Sequence, residues 1–451
     1  MHVTEDLLLF DYVPPAEEAG YASGGFLANA LVDGNMQTGS QQQFLTRNAE
    51  VENGIPQGVW NMVFVGVKGS PQAHCGNNNG TQPNVVVDST PSTLAEKPFV
   101  TTDDQGLFYL TVPAVAPEGR VGTDWNSDGS TNSDDQKIPF SQVYVADNET
   151  DSAASINAKL SEGLHVVLSP GIYQLDAALQ LETEGQVLLG LGFATLVSAN
   201  GNAAIQIGDV SGVRIAGILL QAGPAETDAL LVVGTTDYQG SQGTYKDGRT
   251  HFPGDSSNPV VLSDVFARVG GPDNEPVQAK VMIVVNAGNV VGDNLWLWRA
   301  DHTATGGVYN GSNPCSSGLH VFGDDVTMYG LAVEHTLEDL VLWEGDGGGT
   351  YFYQSELPYD ADQQQFGDKG FAGYRVGENV TSHEAHGLGV YHFFRDYHVT
   401  VESGIVAPAA AKIVSPLSVY LNGNGVMKHV VNEIGDETSE ASGNQVEYVC
   451  N

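Results

Sequence analysis

The chain has 451 residues, with 55 acidic side chains against 17 basic ones, a formal charge of −38 and 55 glycines. Such a surface repels phosphates and excludes a nucleic-acid binder, and no apolar run reaches the length of a membrane span. The charge suits a secreted, highly soluble protein, either merely acidic or adapted to salt, where screening tames the repulsion.

Residues 1–115 alternate short apolar runs with Gly and Asn turns (LLLFDYV, FLANALVDG, QQQFLTRNAEV, VWNMVFVGV, KPFVTTDDQGLFYLTVPAV), which predicts N-terminal strands or coils. The chain begins MHVTEDLLLF without a basic region ahead of the apolar one, so no signal peptide is read and a mature or trimmed extracellular chain is expected. His74 and Cys75 lie in a polar loop without the further partners that a metal site needs. With Cys315 and Cys450, Cys75 makes three cysteines, so at most one bridge forms within the chain, and spacing does not say which.

Residues 116–165 read as an insertion. Asp124, Asn126, Asp128, Ser130, Asn132 and Asp135 stand at relative positions 1, 3, 5, 7, 9 and 12, with Gly129 at 6, the spacing of a calcium loop of EF-hand or dockerin type. Asp at the twelfth position and the nearby Pro139 depart from that pattern. A structural Ca2+ is therefore weighed against a plain solvated loop, and no cofactor is expected for catalysis. AASINAKLSEG (153–163) is the best helix in the chain, suited to packing on the end or side of a solenoid.

From 166 to 434 the text becomes repetitive: QVLLGLGFATLV, GVRIAGILLQAG, VVLSDVFARVGG, AKVMIVVNAG. Short β-branched runs punctuated by Gly are what stacked parallel coils need, and a solenoid grows without the usual size limit because each coil buries its face on the next. The fold expected is all-β, a right-handed parallel β-helix with loop insertions and a small N-terminal β extension. It forms one unit over 1–451, ending in an acidic tail at 435–451. The polar stretch 235–258 reads equally as a loop walling a cleft or as a disordered excursion, and a monomer is expected.

Function concentrates in 295–360. Asp301, Asp324 and Asp346 recur at nearly equal intervals, and Asp325 directly follows Asp324. If one coil takes roughly 20–25 residues, such positions stack on neighbouring turns. Packed carboxylates cannot all ionise, so one keeps its proton as an acid beside a basic neighbour, the division of labour that glycoside hydrolysis requires. Trp296, Trp298, Tyr329, Trp343, Tyr351, Tyr353 and Tyr359 offer flat faces for sugar rings, and Glu334, His335, Glu344, Gln354 and Glu356 offer polar groups for hydroxyls. Arg299 is the only Lys or Arg between 290 and 360, which favours a neutral glycan over a uronate or phosphate. His383, His386 and His392 follow no helical period and read as structural or sugar-contacting.

The runs WLWRADH, FGDDVTMYGLAVEH and YFYQSELPYD, with SQQQFLTRNAEV, GVWNMVFVGVKG, LSPGIYQL and VLLGLGFATLV before them, resemble glycoside hydrolase family 87, the α-1,3-glucanases and mycodextranases. That resemblance implies a β-helical, inverting, endo-acting α-1,3-glucanase (mutanase) with a neutral α-glucan as partner. It makes Asp324 the general acid, with Asp301 and Asp325 holding and deprotonating the water. Trp296, Trp298, Arg299, His302, Tyr329, Glu334, His335, Trp343, Asp346, Tyr353, Gln354, Glu356, Tyr359 and His386 are the candidate substrate-binding residues. Two alternatives stand beside it: a hydrolase of another neutral polysaccharide on the same scaffold, and a non-catalytic β-helical glycan-binding or adhesin module.

Overall fold

The computed structural model describes residues 1–10, 12–13, 18–19, 24–39, 42–56, 59–77, 82–89, 91–125, 134–235 and 251–450. Among these, two long parallel sheets wind together from Val143–Ala146 onward. The larger runs in spatial order through Val187–Ser198, Arg214–Gln221, Val260–Val269, Val290–Arg299, Thr327–Glu334, Gly348–Glu356 and His383–His392. The smaller includes Thr227–Val233, Ala279–Val285, Cys315–Val321 and Val341–Trp343. Every pairing in both is parallel until the last, where Leu417–Tyr420 meets Val446–Tyr448 antiparallel. This is the parallel β-helix that the repeating runs predict. The one α-helix among the described residues, Ala153–Ser161, has Ser152 and Ser155 in a reciprocal capping box and buries Ala153, Ile156 and Leu160 in the first coils.

The alternation of each strand explains the packing. Leu295 and Leu297, Leu331 and Val333, and Leu388 and Val390 point inward into one continuous core. Trp296, Ala332 and Gln354 are cross-strand neighbours on the opposite face. The larger sheet bends at a single column. Asp264, Asn294, Gly330, Phe352 and Gly387 each have a left-handed φ, between 50° and 71°, and each is skipped by the ladder on both sides. One extra residue per rung flips the side-chain parity, so Tyr329 outside the corner is followed by Leu331 inside it.

The N-terminal strands form a second, smaller parallel sheet of Asn84–Asp88, Asn61–Val65, Gln43–Arg47 and Gly25–Ala28. It packs on the outside of the larger sheet at that bend, where Leu45, Val63 and Val86 meet Val291, Tyr329 and Tyr351. The contact is close enough to demand glycine: a Cβ on Gly330 would lie 2.9 Å from the Phe26 ring, and one on Gly387 would lie 2.4 Å from Val63. Beneath it Arg47 is almost wholly buried and divides its guanidinium between Glu96 and Asp293, with four contacts of 2.9–3.0 Å. Arg120 adds a bond to Glu96 at 3.0 Å.

The bridge joins Cys75 to Cys450, and Cys315 is free and buried. Of the calcium-loop positions, Asn126, Asp128, Ser130 and Asn132 lie outside the described residues. Asp124 takes the Asn29 amide at 2.6 Å, and Asp135 accepts the Ala114 N–H at 3.1 Å.

Replacing Arg47 by Met leaves the buried Asp293 without its cation and Glu96 with Arg120 alone, and we expect a loss of about 3–5 kcal/mol of unfolding free energy in urea titrations at neutral pH.

Candidate active site

The aspartate triad is not assembled. Thr327 pairs with Val291 across a longer coil than the next one, where Thr327 pairs with Gly349, because the chain between Val290–Arg299 and Thr327–Glu334 carries a loop as well as Cys315–Val321. Asp301 therefore follows the C-terminal end of Val290–Arg299, whereas Asp324 and Asp325 precede the N-terminal end of Thr327–Glu334. The path between those ends follows the ten-residue strand, bent at Asn294, for roughly 30 Å at about 3.3 Å per residue. At the N-terminal end the carboxylates close turns: Asp324 accepts the Asp346 N–H at 2.8 Å, and Asp346 accepts the Thr381 N–H at 2.6 Å. Burial, then repulsion from Asp324 and Asp346, raises the Asp325 carboxyl above its ordinary pKa.

The next coil is shorter, and its register sets Glu334 directly beside Glu356 on adjacent strands. Both side chains are buried at the C-terminal end of the sheet, on the face away from the core. Trp296 Nε1 donates to Glu334 at 2.8 Å, and the Tyr359 hydroxyl donates to Glu356. Burial first, and then the charge of Glu356, pushes the Glu334 carboxyl up to about 8, so it holds a proton at neutral pH. Gln354 lies beside this pair, buried, with neither amide atom in a well-formed hydrogen bond. A groove of about 210 Å³ opens over Glu334, walled by Trp296, Phe266 and Gln354 on one side and by Gly25 and Phe26 of the N-terminal sheet on the other.

Asp301 stands at the same end. Its carboxylate lies 2.9 Å from His302 Nδ1 and 3.8 Å from His335 Nε2, and the His335 ring meets Tyr359 edge-on at 4.3 Å. Burial holds His335 below its ordinary pKa, against the pull of Glu356 and Asp301. Trp298 stacks on Trp296 at 5.7 Å and tilts against His302 at 5.3 Å.

The other candidates have different positions. Arg299 spends its donors on Asp360, at 2.9 Å through both nitrogens, and on the carbonyls of Ser312, Asn313 and His335, so it clamps the 308–313 loop instead of meeting a ligand. Trp343 and Tyr353 are in the core, and Tyr329 is buried under the N-terminal sheet with its hydroxyl 3.0 Å from Ser92. His386 stacks on Tyr351 at 4.9 Å, towards the end of the sheet that holds Asp325. Phe26 and Phe266 escape sequence reasoning. The first belongs to the N-terminal strands, far up the chain from its site partners, and the second reads as an ordinary strand aromatic.

Residues 143–356 match the LAM55 pectate lyase-like domain. An exo-β-1,3-glucanase of Streptomyces sp. (strain SirexAA-E / ActE) is 39% identical over 427 residues, 93% of this chain. The chain spans 66% of that protein, just under two thirds of its length. The solved structure of sacteLam55A from Streptomyces sp. SirexAA-E superposes with a TM-score of 0.87 at 36% identity, over 100% of this chain and 77% of that one. The chain belongs to the LAM55 family. A second structure, of a Glu-to-Ala variant of sacteLam55A in complex with glucose, superposes at 0.84 over 96% of this LAM55 chain and 74% of the variant, with 36% identity.

Membership in LAM55 overturns the likeness to family 87, and with it the α-1,3-glucanase and mutanase readings and the neutral α-glucan partner. The physical cause is common to β-helices: inward apolar alternation and Gly-Asp corners recur wherever coils stack, so runs such as FGDDVTMYGLAVEH mark architecture more than linkage.

Glu334 binds its proton more tightly in the folded chain than at its ordinary value of 4.5. Its contribution to stability is thus complete below pH 4.5, declines above it and is gone once the pH passes about 8. Glu334→Gln keeps the shape and removes the titration, so it should flatten this part of the stability profile when wild type and variant are unfolded in urea at about pH 5 and about pH 9.

Proposed function

We propose that this chain is a glycoside hydrolase acting on the ends of β-1,3-glucan. The observation that carries the reading is the pairing of Glu334 with Glu356, two buried carboxyls side by side of which one is protonated at neutral pH, under a groove edged with Trp296 and Phe266. Glu334 delivers its proton to the departing glycosidic oxygen, and Glu356 takes a proton from the attacking water. The name of the Streptomyces relative and the glucose held by the Glu-to-Ala sacteLam55A variant support this substrate class. Arg299 is fully engaged, and Arg395 is bound to Asp396 at 2.8 Å and covers Tyr309, which leaves the site suited to an uncharged sugar. End-wise action is the part of the reading that rests on the Streptomyces relative's name, and it assigns the 308–313 loop, braced through Arg299, Asp360 and Arg395, to closing one end of the site. Secretion belongs to the same proposal: a disulfide in an acidic glucan hydrolase fits an oxidising compartment.

Glu334→Gln and Glu356→Gln should each lower kcat on a soluble β-1,3-glucan by about 10²–10⁴-fold, read as glucose release. Asp324→Asn and Asp325→Asn, at the far end of the sheet, should stay within about twofold of wild type. Binding of the glucan without any release of sugar by the wild type would leave the glycan-binding module in its place.

The structural calcium ion at 124–135 remains a separate proposal, supported by the ligand spacing. Calorimetric titration of chelator-treated protein should show uptake of one Ca2+; no heat at millimolar calcium would remove it.

A further inference from the structure

One residue of the bent column breaks the pattern. Where other rungs spend a single residue at the corner, Leu189 pairs with Ala216 and Ala194 with Ile218, so Gly190, Leu191, Gly192 and Phe193 together stand opposite Gly217. The protruding tip carries Phe193 in the left-handed region at φ 54°, with 50% of its surface exposed. Bulky residues avoid that conformation, and a strained backbone that persists asks for a reason. Phe352, at φ 71°, has one, because it is buried against the N-terminal sheet. Phe193 has no such cover. Its ring instead reaches over the intervening rung and stacks on Phe266 at 5.3 Å and 18°.

From there the rings continue. Phe266 meets Trp296 at 6.4 Å, Trp296 stacks on Trp298 at 5.7 Å, and Trp296 is the donor to Glu334. Trp296 is itself 43% exposed. The aromatic line thus starts at the carboxyl pair, shares the groove wall at Phe266 and ends on a tip outside the groove, with spacings comparable to the length of one hexose. Phe193 and Phe266 lie nearly parallel and together offer one partly exposed aromatic surface, to which the Trp296 ring stands edge-on at 73°; such a surface is costly to leave in water and suits the apolar face of a pyranose unit.

We propose that Phe193, with Phe266, forms a distal platform that holds the uncleaved part of a long neutral β-linked glucan and so makes the enzyme favour long chains over short ones. This rests on the hydrolase reading above. The decisive variant is Phe193→Gly, because glycine accepts the left-handed corner freely. It should fold with a melting temperature equal to or above that of wild type. KM for a β-1,3-linked heptasaccharide should rise about fivefold, with kcat unchanged and with the β-1,3-linked disaccharide cleaved as before. Calorimetric binding of the heptasaccharide to Glu356→Gln protein, with and without Phe193→Gly, should show the same loss.

If the wild type cleaves both sugars and Phe193→Gly leaves the heptasaccharide KM and affinity unchanged, the platform is wrong and the hydrolase reading stands. A fall in melting temperature with unchanged KM would make Phe193 structural and also overturn the platform. If the wild type neither binds nor cleaves the heptasaccharide, both readings fall together.

Discussion

The arginine joint beneath the N-terminal sheet is the constraint on which the site depends. Arg47 is on a strand of the N-terminal sheet and Asp293 on a strand of the coil, and Glu96 closes the set. Their charges are nearly out of water, so each is tolerable only while the others stay in place. Burial drives Asp293 up to about 6 despite Arg47, whereas Glu96, equally buried but shared by Arg47 and Arg120, is held below its ordinary value. The joint fixes where the Gly25–Ala28 strand lies over the bend, and that strand brings Phe26 to the groove. Half of the groove over Glu334 is therefore positioned by an ion network that forms no part of its lining.

The other half is positioned by clamps along the coil. Glu334 and Glu356 are neighbours because two successive rungs share one register, but the orientation of the residues just past them is fixed by Arg299 and Asp360. That pair gathers the carbonyls of Ser312, Asn313 and His335 around one guanidinium, and so draws the ends of three consecutive rungs together. An unpaired cation here would attract anions and stabilise two ionised glutamates. Burial and the neighbouring charges of Glu356 and Asp301 let Glu334 keep its proton.

Much of the architecture is legible in the chain. Short β-branched runs with Gly corners have few other ways to bury themselves, and the helix over 153–163 carries its own cap. The site is legible in its ingredients, since Trp296, Trp298, His302, Glu334, His335, Gln354, Glu356 and Tyr359 do meet, but not in its centre. The interval that stacks Asp324 on Asp346 is the same one that stacks Glu334 on Glu356, and counting it from the aspartates selects the column at the opposite end of the strands. Asp301 misleads because the loop before Cys315 lengthens that coil beyond its successor, which no periodic argument anticipates. Burial decides the rest. A carboxylate in a Gly-Asp turn finds backbone N–H groups to close, whereas one at the end of a strand, beside Trp and Tyr, finds little water. The linkage class lies beyond the runs themselves, because the features that carry the β-helix are indifferent to the sugar.

A stack of coils ordinarily has two loose ends, each free to peel away one turn at a time because a terminal rung has a neighbour on one side only. Here the bond between Cys75 and Cys450 ties the last rung to the N-terminal layer that lies across the middle of the stack, over 375 residues of sequence. The first coils are covered separately by the antiparallel strands around Leu110 and Ile138. Topologically the described stack is a ladder whose last described rung has been sewn to its own side, so fraying there cannot spread without disturbing the layer that also bounds the groove.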